Sequence, residues 1–132
     1  MKYFTIAELC KSTTADRLGI NNRCNQEHVV NLTALVDNVL DPLREAYGNP
    51  ITVNSGYRCP ALNKAVKGSA TSQHMSGQAA DIDTGDRQQN KLLFEYIHKN
   101  LPFDQLIDES NFAWVHVSYR ADGVNRNQVS KL

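Results

Sequence analysis

The sequence predicts a mixed fold of α-helices and short β-strands, and three patterns in the chain indicate it. Apolar residues recur at helical spacing across residues 25–47, and a second helical pattern follows Asp86. Residues 104–107 and 114–119 are predicted strands joined by a short connection, which indicates a hairpin-like unit. The 132 residues contain no linker, repeat or low-complexity stretch, so we expect a single domain over residues 1–132.

Residues 1–24 are predicted to form a small N-terminal subregion. Thr5 can cap a first short helix that runs through Leu9, because its hydroxyl oxygen can accept a hydrogen bond from a backbone N–H of the first turn. A second helical turn is expected to end at Gly19, since glycine readily adopts the left-handed conformation that ends helices. We therefore expect two short helices ahead of the long one.

The long helix begins at a good capping residue and ends at strong helix breakers. Asn25 can cap its first turn, and Gly48 and Pro50 should stop it after about Tyr47. Its apolar residues recur three and four positions apart, so one face should pack on a core. Pro42 lacks a backbone N–H and interrupts the pattern, which predicts a kink or a split.

The second half of the chain mixes short strands with helices and loops. Residues 51–54 and 79–83 are predicted strands, and Pro60 is expected to start a short helix between them. A helix is predicted over about residues 87–99. Its predicted inner face consists of Leu92, Leu93, Tyr96 and Ile97. The tail after Arg120 is polar and is expected to fray.

Composition argues against several classes of function. The formal net charge is zero, so neither nucleic acid nor an anionic membrane surface is an expected partner. We also expect a monomer. No apolar run is long enough to span a bilayer. Glu8 falls where a signal peptide needs an unbroken apolar stretch, so we expect synthesis in the cytoplasm without an export signal.

The three cysteines are Cys10, Cys24 and Cys59. Their number is odd and no two of them have the CxxC spacing of a metal or redox motif. We therefore expect reduced structural thiols. A bridge between Cys10 and Cys24 is the alternative.

His74, Asp81 and His116 form the candidate metal site. Two imidazoles and one carboxylate are the ligand set of a catalytic zinc site, which keeps its fourth position for water. Asp81 and His116 lie on predicted strands and can point from the same face of a sheet, with His74 reaching in from the loop before the first of them. The pattern predicts a zinc hydrolase. The alternative is that both histidines are structural and bind no metal.

A zinc hydrolase needs a carboxylate that takes a proton from the attacking water. The candidates are Glu109, Asp108 and Asp83, and we favour Glu109 because its longer side chain lies in the segment that leads to His116. Arg58 follows the first predicted strand and can stabilise an oxyanion or hold a substrate carboxylate. A structural hydrogen-bonding role is the alternative for Arg58.

Three separated motifs resemble the signature of a known family. The run Ser72-x-His74-x-x-Gly77-x-Ala79-x-Asp81 is similar to the central motif of the zinc D-Ala-D-Ala metallopeptidases. That family includes dipeptidases, carboxypeptidases and phage L-alanyl-D-glutamate endopeptidases. Upstream, Ser55-Gly56-Tyr57-Arg58 resembles the family's substrate-side arginine loop, and downstream Trp114-Val115-His116-Val117-Ser118-Tyr119 resembles its metal-binding hairpin. The resemblance covers residues 51–119, and the start of the chain is similar to the family's short, single-domain branch.

The resemblance implies a fold, a cofactor and a reaction. Zinc would be bound by His74, Asp81 and His116, and substrate would be contacted by Ser72, Arg58 and Trp114. The implied fold is hedgehog/DD-peptidase-like α+β, a small antiparallel sheet with flanking helices and a metal-site core over residues 51–119. The implied reaction is hydrolysis of peptidoglycan stem peptides, of the D-Ala-D-Ala carboxypeptidase or the L-Ala-D-Glu endopeptidase type. Phage lysis or prophage-encoded remodelling of the cell wall would suit such an enzyme.

One position departs from the family pattern. Many members carry an acidic residue three positions before the last histidine, where this chain has Ala113. Glu109 is expected to act from further back along the hairpin. The rival hypothesis is a non-catalytic zinc module that binds a muropeptide or a protein partner.

Overall fold

A computed structural model describes all of residues 1–132. Its six α-helices are α1 (Ile6–Cys10), α2 (Thr13–Leu18), α3 (Gln26–Leu35), α4 (Asp41–Tyr47), α5 (Pro60–Ala65) and α6 (Arg87–Asn100). A π-helical turn (Val36–Leu40) and a 3₁₀ helix (Gln73–Ser76) complete the helical elements. The five strands are β1 (Thr52–Ser55), β2 (Ala79–Asp83), β3 (Gln105–Glu109), β4 (Trp114–Ser118) and β5 (Gln128–Lys131). The predicted mixed α+β class is confirmed.

The five strands form one sheet in the order β1-β2-β4-β3-β5. The pairs β1–β2, β2–β4 and β4–β3 are antiparallel, whereas β5 pairs with β3 in parallel. Strands β2 and β4 therefore lie side by side near the middle of the sheet. Their register sets Asp81 directly opposite His116. The expectation of an all-antiparallel sheet is wrong at its β5 edge.

The predicted caps at Thr5, Gly19 and Asn25 are confirmed. Thr5 accepts a hydrogen bond from the first turn of α1, and Gly19 ends α2 in the left-handed conformation. Ser12 was not predicted as a cap, and its side chain accepts a hydrogen bond from the first turn of α2. Asn25 and His28 cap α3 reciprocally, each side chain accepting a hydrogen bond from the other residue's backbone N–H. Local side-chain chemistry thus defines where each of these helices begins.

The chain stays helical through Pro42 instead of splitting there. A π-helical turn separates α3 from α4, and the Asp41 N–H bonds to the carbonyl of Val36, five residues earlier. Pro42 itself occupies the first turn of α4, where a missing N–H costs least. The wider turn absorbs the proline at the point where the sequence predicts a kink.

The core lies where the helices meet the sheet. Helix α6 packs on β3, β4 and α4, while α1 contacts α3 and β1. The inward positions of α6 are Asn90, Leu93 and Ile97, whereas Leu92 and Tyr96 are exposed, so their predicted burial is wrong. Asn90 replaces an apolar residue there because its amide binds the Asp83 carboxylate and the Phe112 carbonyl. The other large core side chains include Leu9, Leu32, Leu35, Leu40, Leu43, Ile82, Leu106, Val115 and Val117.

The C-terminal tail is ordered as an edge strand, which corrects the expected fraying. The backbone N–H groups of Asn127 and Gln128 bond to the carbonyls of Phe103 and Asp104, and β5 then follows β3. The Asp104 carboxylate also accepts three side-chain hydrogen bonds and one backbone hydrogen bond from Arg126. These contacts bind a polar segment that buries none of its own β5 side chains.

Cys10 and Cys24 form a disulfide, and Cys59 is free, which corrects the expectation of three reduced thiols. The end of α1 lies beside the loop before α3. Asn22 holds them together, since its amide donates to the carbonyls of Cys10 and Tyr57. The α-carbons of Cys10 and Cys24 are 6.4 Å apart. None of the helices has both the length and the apolar character that crossing a bilayer requires.

Candidate active site

The three candidate metal ligands converge on one face of the β2–β4 pair. Asp81 on β2 and His116 on β4 are cross-strand partners, with 3.0 Å between Asp81 Oδ1 and His116 Nδ1. His74 approaches from the 3₁₀ helix, and its Nε2 is 3.3 Å from the same carboxylate oxygen. The three ligand atoms all lie within 4.8 Å of one another. A tetrahedral zinc ion with bonds of about 2.0–2.1 Å would separate its ligands by about 3.4 Å, so these spacings suit it.

The tautomer of His74 supports a metal at this place. Its Nδ1 is 2.7 Å from the carbonyl oxygen of Gly56, which can only accept, so Nδ1 carries the proton. In the neutral ring, Nε2 therefore presents a lone pair. This atom is buried and has no hydrogen-bond partner, and the oxygen that faces it belongs to the Asp81 carboxylate. Two acceptors this close need a cation between them, and a backbone carbonyl behind the ring is a typical outer partner of a zinc-binding histidine.

Gly56 is required at its position by a close backbone approach. A Cβ there would lie 2.1 Å from the carbonyl oxygen of Leu9 at the end of α1. The neighbouring Tyr57 N–H bonds to that same carbonyl, and the Arg58 N–H bonds to the carbonyl of His74. The loop after β1 is thus fixed to α1 on one side and to the 3₁₀ helix on the other, which sets the direction of the His74 ring.

The electrostatics of Asp81 favour its ionised form. Burial alone would raise the pKa of this carboxyl, but the two imidazoles that face it, His116 and then His74, hold it far below its usual range. A carboxylate that stays ionised between two imidazoles provides one negative charge and two nitrogen donors. That donor set suits zinc.

Glu109 is the predicted general base that lies in the same cleft. It ends β3 opposite Trp114 and lines the cleft together with Asp81 and His116. Burial and then the negative charge of Asp81 raise the pKa of its carboxyl. The two alternative general bases, Asp108 and Asp83, do not line this cleft. Asp108 is buried with its Oδ1 2.6 Å from the Phe112 backbone nitrogen, and Asp83 accepts hydrogen bonds from Asn90 and Gly85, the latter through its backbone N–H.

The cleft beside the three ligand side chains has a volume of about 740 Å³. Its lining includes Arg58, Ser72 and Trp114, the residues assigned to substrate from the sequence. The Arg58 Nε is buried without a hydrogen-bond partner. Burial lowers the pKa of this guanidinium, and the charges of Asp81 and Glu109 oppose that shift. Ser72 accepts a hydrogen bond from the His74 N–H and so also caps the 3₁₀ helix.

Two arginines of the cleft wall were missed in the sequence. Arg120 directly precedes the tail that was expected to fray and Arg126 lies within that tail, and both contact the buried carboxylate of Asp104. Asp104 also accepts a hydrogen bond from Gln73, the residue before His74. Burial opposes ionisation of Asp104, but hydrogen bonds from Arg126 and Gln73 lower its pKa to about 2. The sequence did contain a signal for this cluster, because Asp104 opens a predicted strand and two arginines, Arg120 and Arg126, follow the hairpin.

Comparison with known proteins gives two findings. A family model described as Peptidase M15 matches residues 2–118. The zinc D-Ala-D-Ala carboxypeptidase of Streptomyces albus G is 45% identical over 49 residues, which are 36% of this chain and 19% of that protein. The chain thus covers about a fifth of that relative's length. The family match ends at the last residue of β4, so Arg120 and Arg126 lie beyond it.

Proposed function

The chain belongs to the peptidase M15 family, whose model covers nearly all of it, and we propose that this zinc metallopeptidase hydrolyses the stem peptides of peptidoglycan. The resemblance seen in the sequence motifs is thereby confirmed at the level of the family. The relative from Streptomyces albus G is named for D-Ala-D-Ala, the dipeptide that ends a peptidoglycan stem. Its name supports stem peptides as the substrate class.

The buried Nε2 of His74 is the observation that carries the proposal. It has no hydrogen-bond partner and faces the carboxylate of Asp81, and His116 completes a set of three donors. These three residues are the ones we assign to zinc. The cleft beside them is open to a peptide, so the fourth position of the ion would be accessible from it.

Zinc bound there would supply Lewis acidity, which lowers the pKa of a bound water and polarises the scissile carbonyl. Glu109 takes a proton from the attacking water and passes it to the leaving amine. Its carboxyl suits this role because burial raises its pKa toward neutrality and brings it closer to that of the groups with which it exchanges the proton. Ala113 leaves no second carboxylate on the turn before β4, so Glu109 acts from the end of β3.

Arg58 and its neighbours bind the substrate. The guanidinium of Arg58 stabilises the oxyanion or holds a substrate carboxylate, since its Nε lacks a partner within the chain. Trp114 offers an aromatic face to the peptide, and Ser72 offers its hydroxyl from the rim of the cleft. Each side chain lines the same cleft as the proposed zinc ligands.

Mass spectrometry of a digested stem pentapeptide tests the proposed reaction. The zinc-loaded protein is incubated with L-Ala-γ-D-Glu-L-Lys-D-Ala-D-Ala, beside a His116→Asn variant as the control. Loss of one D-Ala identifies a carboxypeptidase, and release of L-Ala identifies an endopeptidase of the L-Ala-D-Glu type. An intact pentapeptide after incubation with protein that carries one zinc would overturn the proposal.

The second candidate function is a zinc module that binds a muropeptide without cleaving it. Ala113 favours this function, because it stands three residues before His116, where many members of the family carry an acidic residue. Isothermal titration with the same pentapeptide separates the two functions. A binding module would bind the pentapeptide and leave it intact, whereas an enzyme would release fragments of it.

The biological setting follows from the proposed substrate. We place the site of action at the cell wall, for a phage- or prophage-encoded lytic or remodelling enzyme synthesised in the cytoplasm, and expect it to act as a monomer. The hedgehog/DD-peptidase-like fold label belongs to the same proposal, and the sheet with helices packed against it supports the label. Clearing of purified walls by added protein, with gel filtration for the oligomeric state, tests this setting.

A further inference from the structure

A cluster of three charged side chains stands in the wall of the cleft, outside the proposed catalytic set. Asp104 is fully buried, and Arg126 binds its carboxylate through Nε and Nη2 at 2.7–3.2 Å. Arg120 approaches the same carboxylate from a second direction, with 3.4 Å from its Nε to Asp104 Oδ2. Both arginines line the cleft that holds His74, Asp81 and His116.

The charges of this cluster do not balance. One carboxylate faces two guanidinium groups, so an excess of one positive charge remains at the cleft wall. Arg126 and Gln73 already occupy the oxygens of Asp104, and Arg120 makes the longest of these contacts. The arginine side chains are 37% and 47% exposed, whereas Asp104 is 0% exposed. An anion in the cleft can therefore reach the arginines but cannot displace them from their anchor.

We propose that Arg120 and Arg126 form an anion subsite that binds an internal carboxylate of the substrate, separate from the group held by Arg58. The inference rests on the proposed function, because it assigns a carboxylate of the peptide stem to this wall. The stem carries one such group in the free α-carboxylate of its D-glutamyl residue. Paired guanidinium groups offer parallel N–H donors that match a carboxylate, and they are fixed in place before it arrives.

The fold ties this subsite to the proposed metal centre. Gln73 donates to Asp104 and is the residue directly before His74, so the arginines and the 3₁₀ helix share one buried anchor. The arginines also come from a segment beyond the family match, which ends at residue 118. The subsite is therefore built from residues that follow the matched region. Asp104 acts as a positioning residue, since it holds the arginines without facing the cleft.

A pair of matched peptides tests the subsite. One is the stem pentapeptide with a free D-Glu α-carboxylate, and the other carries a carboxamide at that position. The wild-type protein should prefer the carboxylate peptide by about tenfold in kcat/KM, chiefly through KM, as expected for one charged hydrogen-bonding contact at a partly exposed site. Arg120→Gln should reduce this preference to about one. Arg120 is the better variant because Arg126 supplies most of the bonds to buried Asp104.

The control is Arg17→Gln, which removes the same charge from the exposed face of α2, away from the cleft. It should keep the wild-type preference. Equal preference in R120Q and R17Q would overturn the subsite while leaving the proposed reaction intact. If the wild type cleaves neither peptide, the proposed reaction fails, and calorimetric titration of both peptides still decides the subsite. Tighter binding of the carboxylate peptide that R120Q abolishes would support it, and indifference to the carboxylate would overturn it.

Discussion

Asp81 and His116 are directly opposed residues of the β2–β4 ladder, and 3.0 Å separates Asp81 Oδ1 from His116 Nδ1. The register of two neighbouring strands thus fixes two of the three proposed ligands. The third, His74, depends on loop contacts, namely the Gly56 carbonyl at its Nδ1 and the Arg58 N–H at its own carbonyl. Metal affinity should therefore respond both to the ligands and to the residues that orient His74.

Asp81→Asn tests the charge of the proposed zinc site. The substitution keeps the size of the side chain but removes the negative charge between the imidazoles. We expect zinc affinity to fall by more than about 100-fold, the upper range for the loss of an outer-shell partner. Competition with a chelating dye measures it. Asp83→Asn, the same change two residues along β2 and outside the cleft, is the matched control and should retain wild-type affinity.

Gly56→Ala tests the support behind His74. The added methyl group would meet the Leu9 carbonyl oxygen at 2.1 Å, so the loop must shift away from α1. We expect the free energy of unfolding to fall by about 1–3 kcal/mol. Zinc affinity should fall about 10- to 100-fold, because the carbonyl that orients His74 moves. Ser55→Ala, a change at the preceding residue that introduces no clash, is the control, and wild-type zinc affinity in G56A would contradict the role of this carbonyl.

Asp104 should make the acid stability of the protein depend on the tail. Burial opposes its ionisation, yet hydrogen bonds from Arg126 and Gln73 lower its pKa from 3.8 to about 2. A lowered pKa in the folded state contributes stability that is present above pH 4 and is lost as the pH falls towards 2. The difference corresponds to about 2 kcal/mol. Denaturant unfolding at pH 6 and pH 2 should show this loss in the wild type, and an equal loss in Asp104→Asn would contradict it.

The Cys10–Cys24 disulfide should stabilise the N-terminal subregion. It closes a loop with a sequence separation of 14, for which chain-entropy arguments give about 3 kcal/mol. We expect the Cys10→Ser, Cys24→Ser double variant to unfold at a lower temperature than the wild type. A reducing agent should lower the melting temperature only of proteins that retain both Cys10 and Cys24. Cys59→Ser is the control, because Cys59 is free and serine would retain the cap that its Sγ gives to α5. Equal Tm values in all three would contradict the prediction.

Local patterns were sufficient to predict most of the elements and the three side chains that converge at the candidate site. Caps such as Thr5 and Asn25 act within one turn, and the motif around His74 and Asp81 spans only a few residues, so both can be recognised in the sequence. The sheet face shared by Asp81 and His116 followed from the alternation of two short strands.

Long-range contacts explain what the sequence did not reveal. All four residues of β5 are exposed, so no apolar alternation marks that strand, and its position depends on Asp104 binding Arg126 22 residues away. The disulfide likewise depends on a contact between separate segments, because Asn22 in the loop before α3 donates to the Cys10 carbonyl at the end of α1. On α6, helical periodicity alone could not show that Asn90 would take an inward position through its hydrogen bonds.

The central claim is that a zinc-bearing cleft uses Glu109 as its general base, and Glu109→Gln tests it most directly. Zinc content and kcat on the stem pentapeptide are measured together in the wild type, E109Q and Glu95→Gln, a matched change on the exposed face of α6. We expect one zinc per chain in all three, with kcat about 10²- to 10⁴-fold lower in E109Q alone. Wild-type turnover by zinc-loaded E109Q would contradict the claim.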